Sequence, residues 1–118
     1  MLQMKINGMA VLVEWEDNNA VRELKNMCKE KPITVDTSMY GGFEQVGGIG
    51  KTLPREDKQI TTSAGDIVLY SGNQLVVFFG SNTWAYTKLG HIKNKSETEL
   101  AELLSSENVQ ITLEMADM

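Results

Sequence analysis

The chain has 118 residues, 42% hydrophobic and 23% charged, with a formal net charge of -5, one histidine and one cysteine. That length builds a single hydrophobic core, so residues 1–118 read as one domain. The acidic balance argues against nucleic acid, which needs a basic face to displace phosphate counterions, and no apolar run of about 18 residues exists to span a membrane. The first residues lack the order of a secretory signal, and the lone Cys28 allows no internal disulfide; both suit a reducing compartment, and cytoplasm is expected.

Leu2–Ile6 and Met9–Trp15 flank Asn7-Gly8, the dipeptide that suits the positive φ angles of a type I′ hairpin. Leu2, Met4 and Ile6 alternate with polar residues, whereas the second strand is apolar from Met9 to Val13, as if covered on both sides. Asp17, Asn18 and Asn19 offer helix caps, and Val21, Leu24 and Met27 or Cys28 recur at helical spacing, predicting a helix over residues 19–30 that Pro32 ends. A strand follows over Ile33–Tyr40. Gly41-Gly42 and Gly47–Gly50 then bracket a short strand around Phe43–Val46, and Lys51–Lys58 is a polar connection. Ile67–Tyr70 and Leu75–Phe79 form a hairpin around Ser71–Gln74. Ser96-Glu97-Thr98-Glu99 matches a capping box, opening a helix that buries Leu100, Leu103 and Leu104. Val109–Met115 alternates as a half-buried closing strand. About eight short strands and two helices predict a mostly β protein, an antiparallel barrel capped by helices.

Several motifs tempt and fail on context. Gly47-Gly48-Ile49-Gly50-Lys51-Thr52 resembles part of a phosphate-binding loop, but the required earlier glycine is Gln45, and Pro54 opposes the helix that must follow. His91 alone cannot build a zinc site, so no metal is expected. Ser71 or Ser81 with His91 and Asp66 would compose a triad on paper, yet no G-x-S-x-G turn supports it. Cys28 sits on the apolar face of the first helix and reads as an inert buried thiol. Phe78 and Phe79 point to opposite faces of one strand. Seven of the eight aromatic residues lie between Tyr40 and Ile92, the exception being Trp15, so function is expected in that stretch. Trp84, placed in a loop by Ser81-Asn82-Thr83-Trp84, is a candidate pocket wall. Glu44 beside Phe43 reads as an outward strand residue, unless a pocket forms there.

The order of elements resembles that of small bacterial cyclophilin-like domains, relatives of the cyclophilin peptidyl-prolyl isomerases. The most specific pieces are Gly65–Tyr70, Gly72–Gly80 and Tyr86–Ile92. The resemblance implies a closed cyclophilin-like barrel with a peptide groove on one face. Phe43 then falls where that family keeps an aromatic after its glycine, Gln74 where cyclophilins place a glutamine, and Val76 where they carry a phenylalanine; Tyr70 and Trp84 flank the opening. The isomerases polarise the twisted amide with an arginine, whose position falls near Ser38, and Ile33–Tyr40 contains no Arg or Lys. Losing one preorganised donor costs on the order of 10²–10³ in rate.

These readings combine into one expectation: a groove that binds a small molecule or short peptide, without a cofactor and without efficient proline isomerisation. Tyr40, Phe43, Tyr70, Val76, Trp84 and Tyr86 are expected to supply apolar walls, and Glu44 and Gln74 to orient the ligand by hydrogen bonds. Two alternatives stand beside it. One is a weak isomerase using Arg55; the other is an interaction module that accepts a peptide along an exposed strand edge. The residue pattern does not select an oligomeric state.

Overall fold

A computed structural model describes residues 1–116, and its architecture is a nearly closed antiparallel barrel with two helices. The strands are β1 (Leu2–Ile6), β2 (Met9–Val11), β3 (Val13–Trp15), β4 (Ile33–Tyr40), β5 (Glu44–Gly48), β6 (Lys58–Thr61), β7 (Asp66–Tyr70), β8 (Gln74–Phe78), β9 (Thr83–Ile92) and β10 (Asn108–Met115). Helices α1 (Asn19–Glu30) and α2 (Glu97–Leu104) complete the order. Around the sheet the strands run β2-β1-β10-β4-β5-β8-β7-β9-β3, with β6 paired to β9 off this path.

The two ends of that path are halves of one strand. β2 pairs with β1 and β3 with β9, so the chain changes partner at Leu12, whose carbonyl accepts from the Lys93 N–H at 2.8 Å. This bend brings the sheet round on itself and withdraws two edges from pairing with another chain. It also corrects the expected continuous strand over Met9–Trp15: Val11 and Val13 face the core, whereas Met9 and Leu12 are exposed rather than covered on both sides. The hairpin before it is as expected, with positive φ at both Asn7 and Gly8.

The helices begin where the sequence places their caps. The Asn18 side chain accepts from the Val21 N–H at 2.9 Å, and α1 buries Ala20, Val21, Leu24 and Cys28 against the barrel. The Cys28 thiol donates to the Leu113 carbonyl, and burial pushes its ionisation up, as befits a packed rather than reactive sulfur. Both reciprocal bonds of the Ser96–Glu99 capping box are present at the start of α2, which buries Leu100 and Leu104 and leaves Leu103 half-buried.

Alternation on the strands separates two apolar clusters. Ile67 and Leu69 of β7 and Leu75 and Val77 of β8 face the barrel interior with β1, β10, Leu24 and Leu100. Val68, Val76 and Phe78, the residues between, face outward and join Tyr86, with Phe43, Val46 and Ile60 packed against them. The outer cluster is what a one-sided sheet would expose to water. Here it is covered by aromatic side chains, and the candidate site lies against it. Gly47 is required for this part of the barrel, because a Cβ there would lie 2.6 Å from the Asp36 carbonyl oxygen on neighbouring β4. No helix of the described residues is long and apolar enough to cross a membrane.

Candidate functional site

On the outer face of β4, β5, β7, β8 and β9 lies an open cavity of about 390 Å³, lined by Tyr40, Glu44, Val46, Tyr70, Val76, Asn82, Trp84 and Tyr86. That size suits a small molecule or a residue or two of peptide. Glu44, Val76 and Tyr86 form its buried part. Tyr40 and Trp84 stand at the mouth, 68% and 55% exposed, and Tyr70 is less exposed at 38%. An exposed tryptophan and two exposed tyrosines around one depression make an apolar surface that water solvates poorly.

The walls are held by their own contacts. Tyr86 meets Tyr70 edge-on at 6.1 Å between ring centroids and Phe78 at 5.7 Å. Asn82 anchors the opposite end of Tyr86, donating from Nδ2 to the phenol oxygen at 2.9 Å. Asn82 is itself pinned to Thr62, whose hydroxyl accepts from its N–H and donates to its carbonyl. Burial pushes the Tyr86 phenol's ionisation up, against the pull of the Asn82 bond, and the negative field of Glu44 adds to the rise.

Glu44 carries the chemistry of the site. Its position at the start of β5, opposite Tyr40 on β4 and Phe78 on β8, sends the side chain outward into the cavity rather than into the core. The residue is 5% exposed, and no hydrogen bond or ion pair to its carboxyl occurs among the described residues. Burial without compensation raises its pKa to about 7. The group therefore exchanges its proton near neutrality, donating a hydrogen bond when protonated and presenting an uncompensated charge when ionised.

Six of the residues expected from the sequence, Tyr40, Glu44, Tyr70, Val76, Trp84 and Tyr86, come together around this cavity. Two do not. Phe43 lies behind the wall, its ring stacked on Phe78 at 6.4 Å, because the turn before β5 folds it over Phe78 and against Gly80. Gln74 faces outward, but one alternate position beyond Val76 along β8, and borders a separate depression with Gly48, Gly50, Lys51 and Thr52. Trp84 belongs to β9, paired with Ile60 of β6, and not to a loop. The sequence reading missed β6, whose Lys-Gln-Ile-Thr pattern carries little apolar signal, and it missed Val46 and Asn82 as lining residues. Val46 was accessible by alternation, two places beyond Glu44 on one strand; Asn82 had only its turn context.

The remaining motifs resolve as structure. Gly47 and Gly48 are strand residues, the chain after Gly50 bends and runs on without a helix, and Lys51 pairs with Glu23 at 2.9 Å. Asp66 accepts at 2.9 Å from the Ser63 N–H and lies 2.7 Å from His91 Nδ1, yet no serine hydroxyl hydrogen bonds to that ring. Ser38, near where the resemblance puts the isomerases' arginine, donates from its hydroxyl to Asn108 Oδ1 on neighbouring β10 at 3.2 Å. Arg55 is bound to Asp57, which also accepts from the Thr87 hydroxyl at 2.6 Å, and it does not line the cavity. Among the described residues, no group of three His, Cys, Asp or Glu side chains is placed to hold a metal ion.

Comparison with known proteins bears on the fold. The family model described as the cyclophilin-like family matches residues 4–114. The solution structure of a hypothetical protein from Archaeoglobus fulgidus superposes with a TM-score of 0.71 at 18% identity, covering 98% of this chain and 93% of that one. No curated protein sequence matches this chain.

Proposed function

The chain belongs to the cyclophilin-like family, and we propose that within this fold it acts as a binding protein, taking a small molecule or short peptide into the aromatic cavity on the outer face of the barrel. One observation carries the reading: Glu44 is buried in the wall of an open cavity with no partner of its own. Its carboxyl oxygens reach the cavity and have no partner from the protein, so the partly desolvated group is open to a ligand that completes it.

The reading extends to chemistry. Proline isomerisation is slow because the amide must twist against a barrier of about 18–20 kcal/mol, and catalysis needs a donor aimed at the twisted amide. No Arg or Lys lines this cavity, and Arg55 is engaged by Asp57. Binding without efficient isomerisation follows. Exchange NMR on an Ala-Pro peptide tests that part: unchanged cis/trans exchange is expected, and catalysed exchange overturns it. A fragment set of cations, anions and neutral molecules, screened by the shift of the Trp84 indole signal, tests the binding itself. At least one fragment that moves this signal is expected; none doing so at millimolar concentration retires the cavity as a site.

A further inference from the structure

The lining residues select among ligands by charge. We propose that the ligand of this cavity is an organic ammonium cation, enclosed by the rings of Tyr40, Tyr70, Trp84 and Tyr86 and balanced by the Glu44 carboxylate. This rests on the binding role just proposed and names the chemical class that the site takes.

Aromatic faces carry partial negative charge and attract a cation that lies within about 6 Å of the ring centroid, most strongly at tryptophan. Four such rings line the cavity, from three different strands, so a compact cation entering it meets several of them. Glu44 is the one charged residue in the lining. The other titratable groups there are the phenols of Tyr40 from β4, Tyr70 from β7 and Tyr86 from β9; β8 contributes Val76, and no Lys, Arg or His takes part. An anion would face the carboxylate and the ring faces together. A neutral ligand would leave the carboxyl desolvated and unpaired. A small metal ion wants several oxygen donors, and one carboxylate beside one amide does not supply them. An alkylammonium group satisfies both parts at once, its charge against Glu44 and its methyl or methylene surface against the rings.

The cation must be met by the ionised carboxylate, so binding and protonation compete. Since Glu44 releases its proton at about pH 7, affinity for a permanent cation should rise roughly tenfold from pH 6 to pH 8 and level off above that.

The test uses the intact protein and titrations followed by the Trp84 and Tyr70 NMR signals. Benzyltrimethylammonium represents a free ligand, a lysine blocked at both backbone ends represents a peptide-borne one, and neopentylbenzene is the neutral carbon counterpart of the first. Binding of at least one cation is expected, with neopentylbenzene at least tenfold weaker and a pH profile rising through 7. Glu44→Gln should flatten that profile and weaken the cation at pH 8 by tenfold or more. Trp84→Ala should weaken it roughly tenfold without changing the profile. Which of the two cations binds better distinguishes a free amine from a peptide side chain. Equal binding of cation and neutral counterpart, or a flat profile in the unaltered protein, overturns the cation assignment while leaving a binding cavity. Failure of both cations also overturns it; the fragment screen then separately decides whether the cavity binds anything.

Discussion

Glu44 and Gln45 are neighbours on β5, both polar and both buried, and they could hardly be treated more differently. Gln45 points into the barrel and is wholly enclosed. Its amide donates to the carbonyls of Leu104 at 2.8 Å and Ser106 at 2.6 Å, and its oxygen accepts from the Thr37 hydroxyl at 2.9 Å. These bonds tie β5 to the end of α2, satisfying the carbonyl of its last residue Leu104 and that of Ser106 just beyond the helix. Glu44 points outward and has no such partner. Gln45 has every bond made inside the protein, whereas the Glu44 carboxyl has no protein partner and opens to the cavity. The inner and outer faces of the same strand thus divide a fully bonded side chain from one left open to the cavity.

Gln45→Ala should produce the largest effect. It leaves the Leu104 and Ser106 carbonyls without a donor inside the protein, which costs on the order of 4 kcal/mol in urea unfolding. If the loss is below about 1 kcal/mol, the contrast between the two faces is not energetic.

Glu44→Gln should act in the opposite direction. The folded-state pKa of about 7 lies above the usual value of 4.5, so between these values the folded protein holds a proton that the unfolded chain has released. The Glu44 contribution to stability is therefore largest below about pH 4.5, falls as pH rises to 7, and is flat beyond; the whole swing is at most about 3 kcal/mol. The glutamine variant carries no such titration. Compared with the unaltered protein it should gain more at pH 8 than at pH 4.5, by at most about 3 kcal/mol. Melting curves at the two pH values measure this, and a variant that tracks the parent at both would mean that Glu44 is solvated. The sign is informative: a residue whose removal stabilises the fold is kept for another reason.

Asn82→Ala belongs to the next rank. It frees the Tyr86 hydroxyl from its donor, and the half-buried bond is worth about 1 kcal/mol. Ligand affinity should fall as well, because the ring loses the bond that orients it. Affinity unchanged with stability reduced would make Asn82 part of the scaffold alone.

Much of this was legible in the sequence, for reasons that can be located. Alternation located β4 and β10, the turn at Ser71–Gln74 between two apolar runs located β7 and β8, and caps located both helices, because in each case local chemistry and burial agree. The break at Leu12 was not legible: it follows from barrel closure, which no local pattern encodes. β6 was invisible because it is stabilised by pairing with β9 rather than by an apolar face of its own. At the site, six of the eight residues expected from the sequence line one cavity and Phe43 and Gln74 lie outside it, since position along a strand fixes the face and not how far along it the cavity reaches. The raised pKa of Glu44 depends on which rings close over it, so sequence alone could only name the residue.

The smallest stability effects should come from Trp84 and Gln74, and the comparison between them isolates the cavity itself. Both are incompletely buried and carry no hydrogen bond from the side chain, so alanine at either should alter stability by no more than about 0.5 kcal/mol. They differ in place. Trp84 forms part of the cavity's mouth, whereas Gln74 borders a separate depression beyond Val76. Trp84→Ala should weaken ligand binding roughly tenfold, as expected for loss of one aromatic wall, and Gln74→Ala should leave it unchanged. If the two lose binding equally, the ligand runs along β8 into the second depression and is an extended chain rather than a compact group. If neither does, the buried end around Glu44 holds the ligand by itself, and the exposed rings serve to admit it.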